Sequence, residues 1–144
     1  GAETAHPGFD RAVGGLHESY LGEKPPGSPH SPWRLVEHMR IAQWDILQFC
    51  VDPAHVSPDF PSGYWPEGDG PPDDLAWERT LHQFRDDLAT FRDLIADPER
   101  DLFAPIRKGQ QETWLREALL IADHNAYHIG QLIEVRRMLG AWSE

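Results

Sequence analysis

The chain has 144 residues, the length of one ordinary domain, and we expect residues 1–144 to form a single domain. Twenty-four acidic residues against 13 Lys and Arg leave a formal net charge of −11, which disfavours nucleic acids and anionic membrane surfaces as partners. A single cysteine excludes an internal disulfide. With neither an apolar run long enough to span a membrane nor a signal-peptide core, the sequence predicts a cytoplasmic protein.

The predicted elements begin with a short helix over residues 8–21. A Gly-Gly pair in its middle weakens it, because each glycine costs about 1 kcal/mol relative to alanine inside a helix. Residues 22–32 are rich in Pro, Gly and Ser and break this helix. Ser31 followed by Pro32 is typical of an N-cap with proline at the first helical position, so a second helix is predicted from there to about Cys50. Its apolar residues recur at spacings of three and four, which predicts one buried face.

Residues 51–73 form a long connection rich in Pro and Gly, a length that is uncommon inside a compact domain. An Asp-Asp pair at positions 73 and 74 predicts the start of a third helix, which ends near Ile95 and carries a regular apolar stripe. A fourth helix is expected from about residue 112 to about residue 140. No segment alternates as a strand does, so the predicted fold class is all-α, a four-helix bundle with a long crossover between helices 2 and 3.

Three of the eight histidines lie on predicted core faces. His124 and His128 are one helical turn apart on the same face of the fourth helix, and His38 lies on the apolar face of the second. The alternative interpretation is that the three histidines are structural residues of the core, each with its own hydrogen bond. Several buried imidazoles without partners would be costly, whereas one shared cation satisfies all three. The pattern therefore predicts a divalent metal ion (Zn, Ni or Fe) with one coordination position open for water or substrate.

The other five histidines are expected at the surface. His6, His30 and His55 lie in breaker segments beside Pro or Ser, and His17 lies on the weak first helix. His82 falls among charged residues on the solvated side of the third helix. None of these five is predicted to have a functional role.

Two polar residues near the predicted ligands are candidates for a role in the site. Gln131 lies about 20° from His124 around the helix, so it can hydrogen-bond a bound ligand or a ligating histidine, and it is the candidate catalytic residue. Its alternative role is to fill the end of the bundle. Asp45 shares a face with His38, but two helical turns, roughly 10 Å, argue against contact with the metal.

The remaining candidates are predicted from their positions in loops and helices. Tyr64 and Trp65, in the long connection, either close over the site or anchor the connection to the bundle. Gly130 faces away from the ligands, and we expect a close helix contact there. Cys50 lies roughly 18 Å along the helix from His38 and is too distant to be a fourth ligand.

The segment from His124 to Gln131, His-Asn-Ala-Tyr-His-Ile-Gly-Gln, is followed by an apolar helix ending Arg-Arg-Met-Leu-Gly. It resembles the last helix of the DinB/YfiT-like family, whose pattern there is His-x-x-x-His-x-Gly-Gln. His38, in Leu-Val-Glu-His-Met, stands where that family has its remaining ligand. The resemblance covers nearly the whole chain and implies a four-helix bundle in up-down-down-up order. It also implies a divalent metal bound by His38, His124 and His128, and often a homodimer.

Characterised members of that family include S-transferases that use bacillithiol, mycothiol or glutathione, thiol-dependent isomerases, and proteins proposed as metal-dependent hydrolases. The resemblance therefore implies a metal-dependent transferase that uses a low-molecular-weight thiol and a small-molecule substrate. The alternatives are a metal-dependent hydrolase and a non-enzymatic metal-binding or sensor module. No residue pair stands out as acid and base, which favours the last alternative. The short, glycine-broken first helix departs from the family.

Overall fold

The computed structural model describes residues 4–144, and within them the chain is helical, with one isolated bridge between Pro105 and Thr113 and no strand. The four α-helices are α1 (Phe9–Val13), α2 (Pro32–Val51), α3 (Ala76–Ala96) and α4 (Trp114–Met138). Two single turns of 3-10 helix cover Glu18–Tyr20 and Ser62–Tyr64. The predicted all-α fold with four helices is confirmed.

The starts of α2 and α4 follow from their capping residues. The Ser31 hydroxyl accepts a hydrogen bond from the backbone N–H of Arg34, and the Thr113 hydroxyl accepts one from the N–H of Arg116. At the end of α4, Gly140 adopts a φ of 72°, a left-handed conformation that glycine enters at no steric cost. These two helices lie within about two residues of their predicted bounds.

The first helix is shorter than the predicted residues 8–21, because α1 has five residues only and ends at Val13. Gly15 has a φ of 66°, which turns the chain out of the helix directly after the Gly-Gly pair. His17 then caps the first 3-10 turn instead of lying on a helix. The start of α3 was also placed too early, because the Asp73 carboxylate accepts from the N–H of Leu75 and forms a turn before the helix.

The long connection runs back along α2 and brings the start of α3 to the start of α2. The Ser31 hydroxyl donates to the carbonyl of Asp69, and Arg34 Nη1 donates to the carbonyl of Pro66 at 2.9 Å. Hydrogen bonds then pair Glu37 with Thr80 and Gln43 with the Phe84 carbonyl, so α2 and α3 run in the same direction. The complete up-down-down-up order stays a prediction.

The core has two clusters, both of them centred on α2. In the first, which includes Leu35 and Leu132, Phe9 of α1 stacks on Phe84 of α3 with ring centroids 3.8 Å apart. The second gathers around Phe91 at the other end of the bundle. Because α1 is short, it covers only the first cluster, and a cavity of about 340 Å³ stays open between α3 and α4 beside the second.

A buried arginine ties the short first helix to the last one. Arg136 of α4 is 5% exposed, and its guanidinium donates to the carbonyls of Ala12 at 2.6 Å, Gly14 at 2.9 Å and Ala141 at 2.9 Å. Charge-assisted hydrogen bonds of this kind are stronger than neutral ones. Over residues 4–144, no helix combines the length and the apolarity that crossing a membrane requires.

Candidate metal centre

The structure brings the three predicted histidines together between α2 and α4. The Nε2 atom of His38 lies 3.1 Å from Nε2 of His128 and 3.1 Å from Nε2 of His124. Nitrogen ligands about 2.0–2.1 Å from a tetrahedral zinc ion are about 3.3 Å from one another, so this spacing is close to that of a metal site. His38 and His128 are each 7% exposed, and His124 is half-buried.

Hydrogen bonds on the far sides of two rings fix where their protons are. His38 Nδ1 donates to the backbone carbonyl of Tyr64 at 2.7 Å, and a carbonyl can only accept. His128 Nδ1 donates to Oε1 of Gln131 at 2.6 Å. In the neutral rings, both Nε2 atoms therefore carry lone pairs, which face each other at 3.1 Å with no proton between them. This donor set fits a cation, since a shared positive ion satisfies lone pairs that cannot bond to each other.

The electrostatics of the site keep the imidazoles neutral. Burial, together with a smaller effect of the neighbouring His128 and His38, lowers the pKa of His124 to about 4. Burial also lowers the pKa of His38 to about 4, against the opposing effect of the Tyr64 carbonyl. The pKa of His128 is lowered by burial as well, although the hydrogen bond to Gln131 acts in the other direction. Neutral imidazole is the form that binds metal ions, so the rings need not lose protons on binding near pH 7.

Trp65 of the long connection covers one of the imidazoles. Its indole stacks on the ring of His38 with centroids 3.8 Å apart and an interplanar angle of 1°. His30 also stacks on Trp65, at 4.1 Å. Trp65 thus both anchors the long connection to α2 and covers part of the site. The expectation that His30 is exposed was wrong, since this stacking leaves it half-buried.

Asp45 lies two helical turns from His38 on α2 and does not belong to the group of three imidazoles. It is 8% exposed, and its carboxylate oxygens accept from Nε2 of His55 and from the hydroxyl of Tyr64, each at 2.7 Å. The expectation that His55 is exposed was also wrong, because this contact leaves only 9% of its side chain exposed. In the part of the chain that the structure describes, the potential metal-binding group comprises three imidazoles and no carboxylate. His6, His17 and His82 are exposed as expected.

Of the remaining candidates, Gln131 contacts the site, whereas Gly130 and Cys50 do not. Gln131 is half-buried and contacts His128 directly, and it lines a cavity of about 510 Å³ between residues 26–30 and α4. The expected close helix contact at Gly130 was wrong, because a Cβ there would meet no atom within 4 Å. Cys50 is buried in the second core cluster, where burial raises the pKa of its thiol to about 12.

One partner of the site carries no recognisable signal in the sequence. The backbone carbonyl of Tyr64 fixes the proton of His38, but any residue has a carbonyl, so its position depends on how the connection folds. The Tyr-Trp pair in a long connection was the one available sign.

Comparison with protein families matches residues 3–132 to the model of the DinB superfamily. The chain belongs to the DinB superfamily. The match includes the three histidines and Gln131, and the helical fold agrees with it. Comparisons with curated proteins and with solved structures gave no significant match. Membership confirms the resemblance seen in the sequence, and the cluster of three imidazoles in this DinB protein is compatible with metal binding.

Proposed function

We propose that this DinB protein binds a divalent metal ion through Nε2 of His38, His124 and His128. The observation that carries this proposal is the convergence of three Nε2 atoms, two of which are lone-pair donors because their Nδ1 protons are held elsewhere. Core histidines that served packing alone would gain from hydrogen bonds to each other, and these proton positions prevent one between His38 and His128.

The donor set favours zinc, nickel or iron over magnesium and calcium. Imidazole nitrogen suits the first group, whereas magnesium and calcium prefer several oxygen ligands. Three protein ligands also leave at least one coordination position for a small molecule, as is typical of catalytic and not of structural sites.

We further propose that the protein is a transferase that uses a low-molecular-weight thiol. When bound, a divalent metal supplies a Lewis acid that favours the deprotonated form of a thiol or of water. The chain contributes fixed ligand orientations through Tyr64 and Gln131, and the indole of Trp65 shields one face of His38 from water. The support for thiol transfer, as opposed to other metal chemistry, is the family resemblance of the histidine pattern.

A non-enzymatic metal-binding module is the second candidate. It is favoured by one observation, the engagement of both Asp45 oxygens with His55 and Tyr64, which leaves this buried carboxylate unavailable as a base. A hydrolase would need such a base or would rely on the metal alone.

An activity assay separates these functions. Metal-loaded protein is mixed with an aryl halide and, in turn, glutathione, cysteine, bacillithiol or mycothiol, and thioether formation is followed by absorbance. We expect turnover with at least one thiol, loss of turnover in His128→Ala, and wild-type turnover in the matched surface variant His82→Ala. Hydrolysis of an aryl ester without thiol indicates the hydrolase. Metal-loaded protein that is inactive in every combination refutes the transferase and favours the binding module.

A further inference from the structure

Asp45 is a buried carboxylate whose two oxygens are both used by one segment of the chain. It projects from α2, whereas its partners His55 and Tyr64 both belong to the connection of residues 52–75. A buried charge is costly unless it is hydrogen-bonded, so these two contacts are needed for the carboxylate to remain at this place. Asp45 therefore holds the connection against α2 at two points.

Tyr64 is consequently held at both of its ends. Its hydroxyl donates to Asp45 at 2.7 Å, and its carbonyl accepts from Nδ1 of His38 at 2.7 Å. Asp45 and His38 are seven residues apart on α2, roughly 10 Å along the axis, a span that one tyrosine and its two hydrogen bonds bridge. The next residue, Trp65, stacks on His38. The position of the Tyr64 backbone thus determines two of the contacts made by the His38 ring.

We infer that Asp45 and the Tyr64 hydroxyl are positioning groups for the metal centre. They hold the Tyr64 carbonyl where it accepts the hydrogen bond from Nδ1 of His38, and so keep the Nε2 lone pair of His38 directed at the other two imidazoles. Partners behind a ligating histidine fix its tautomer and orientation, and their loss weakens metal binding. The inference rests on the proposed metal site. It adds that the site depends on a carboxylate that binds no metal.

The test compares metal affinity in two variants that each lose one phenolic hydroxyl. Tyr64→Phe removes the bond to Asp45 and keeps the ring and the carbonyl. Tyr20→Phe is the matched control, since Tyr20 lies in the first 3-10 turn, outside the Asp45 contacts. Zn²⁺ affinity is measured by competition with a chromophoric chelator. The visible absorption of the Co²⁺ protein at saturation reports ligand geometry, and the melting temperature of the metal-free protein reports folding.

We expect Tyr64→Phe to bind Zn²⁺ about tenfold more weakly than wild type. This lies within the loss of metal affinity that is typical when a hydrogen-bond partner of a ligating histidine is disturbed. Its Co²⁺ spectrum should differ from that of wild type, whereas Tyr20→Phe should match wild type in both measurements. Asp45→Asn, which keeps the size of the side chain and loses its charge, should change affinity in the same direction. It serves as the second test if Tyr64→Phe folds poorly.

The measurements distinguish a failure of the positioning role from a failure of the metal site itself. If wild-type protein binds Zn²⁺ while Tyr64→Phe and Asp45→Asn show wild-type affinity and Co²⁺ spectra, the positioning role is overturned and the metal site stands. A lowered melting temperature with unchanged affinity and spectrum would likewise overturn it, because Asp45 would then stabilise the fold alone. If wild-type protein binds neither Zn²⁺ nor Co²⁺, the metal site itself is refuted and this inference falls with it.

Discussion

Acid should destabilise the metal-free protein between about pH 6.5 and pH 4, because three imidazoles are buried in neutral form. Burial lowers the pKa of His38 and His124 to about 4 and also lowers that of His128. Below the ordinary histidine pKa near 6.5, the unfolded chain binds protons that the folded chain does not. The stability that these groups contribute is therefore complete above about pH 6.5 and is lost as the pH falls toward 4.

The size of the effect follows from the number of rings. One fully shifted group changes the free energy of unfolding by at most about 1.4 kcal/mol per pH unit, so the three imidazoles of the site contribute at most about 4. Burial also lowers the pKa of His30, which adds to the total slope in the same direction. Water reaching the metal-free site screens these charges, and we take half of the bound, about 2 kcal/mol per pH unit. Urea unfolding followed by circular dichroism, with a chelator present at about pH 7, 6 and 5, measures this slope.

Matched variants isolate the contribution of the site. His124→Gln should lose about a third of the slope, whereas His82→Gln, at an exposed position, should keep all of it. The comparison is needed because burial raises the pKa of Asp87 and of Glu117, whose protonation in acid favours the folded state and offsets part of the loss. A wild-type stability that is flat from about pH 7 to 5, or an unchanged slope in His124→Gln, would refute this reasoning.

Three further predictions concern the fold and are measured as free energies of unfolding in urea. Arg136→Met should lose about 3 kcal/mol, because three carbonyls lose a charged donor, and a loss under about 1 would contradict that assignment. Phe84→Ala should lose about 4 kcal/mol at a site that is 1% exposed, while Phe103→Ala, at 79% exposed, should change stability by less than about 0.5. Gly130→Ala should gain about 0.5–1 kcal/mol, since a Cβ there meets open space, and a loss would indicate a contact that the structure does not have.

The predicted helices were right where local signals agreed with one another. α2 has Ser31 as its cap and an apolar stripe, and α4 has Thr113 as its cap and a left-handed glycine at its end. Such signals act over a few residues and do not depend on the rest of the fold. The end of the first helix was predicted wrongly because its apolar residues continue past Gly15. The periodicity of apolar residues does not reveal the left-handed backbone conformation of that glycine.

The part of the candidate site that lies on helices could be predicted from the sequence. One turn of spacing puts His124 and His128 on the same face, and the apolar face of α2 brings His38 opposite them. The contacts from the long connection were not predictable, since nothing local determines that Trp65 stacks on His38 or that His55 reaches Asp45. Breaker residues next to His55 indicate a loop correctly but carry no information on what that loop packs against.

The central claim is that His38, His124 and His128 hold one metal ion, and its most direct test is the metal content of the protein. Wild type, His124→Ala and the surface variant His82→Ala are purified without a nickel column and analysed for metal per chain. We expect about one ion per chain in wild type and in His82→Ala and almost none in His124→Ala. No metal in wild-type protein, and no uptake on titration with zinc or nickel, would contradict the proposed metal site. The three histidines would then be structural residues of the core.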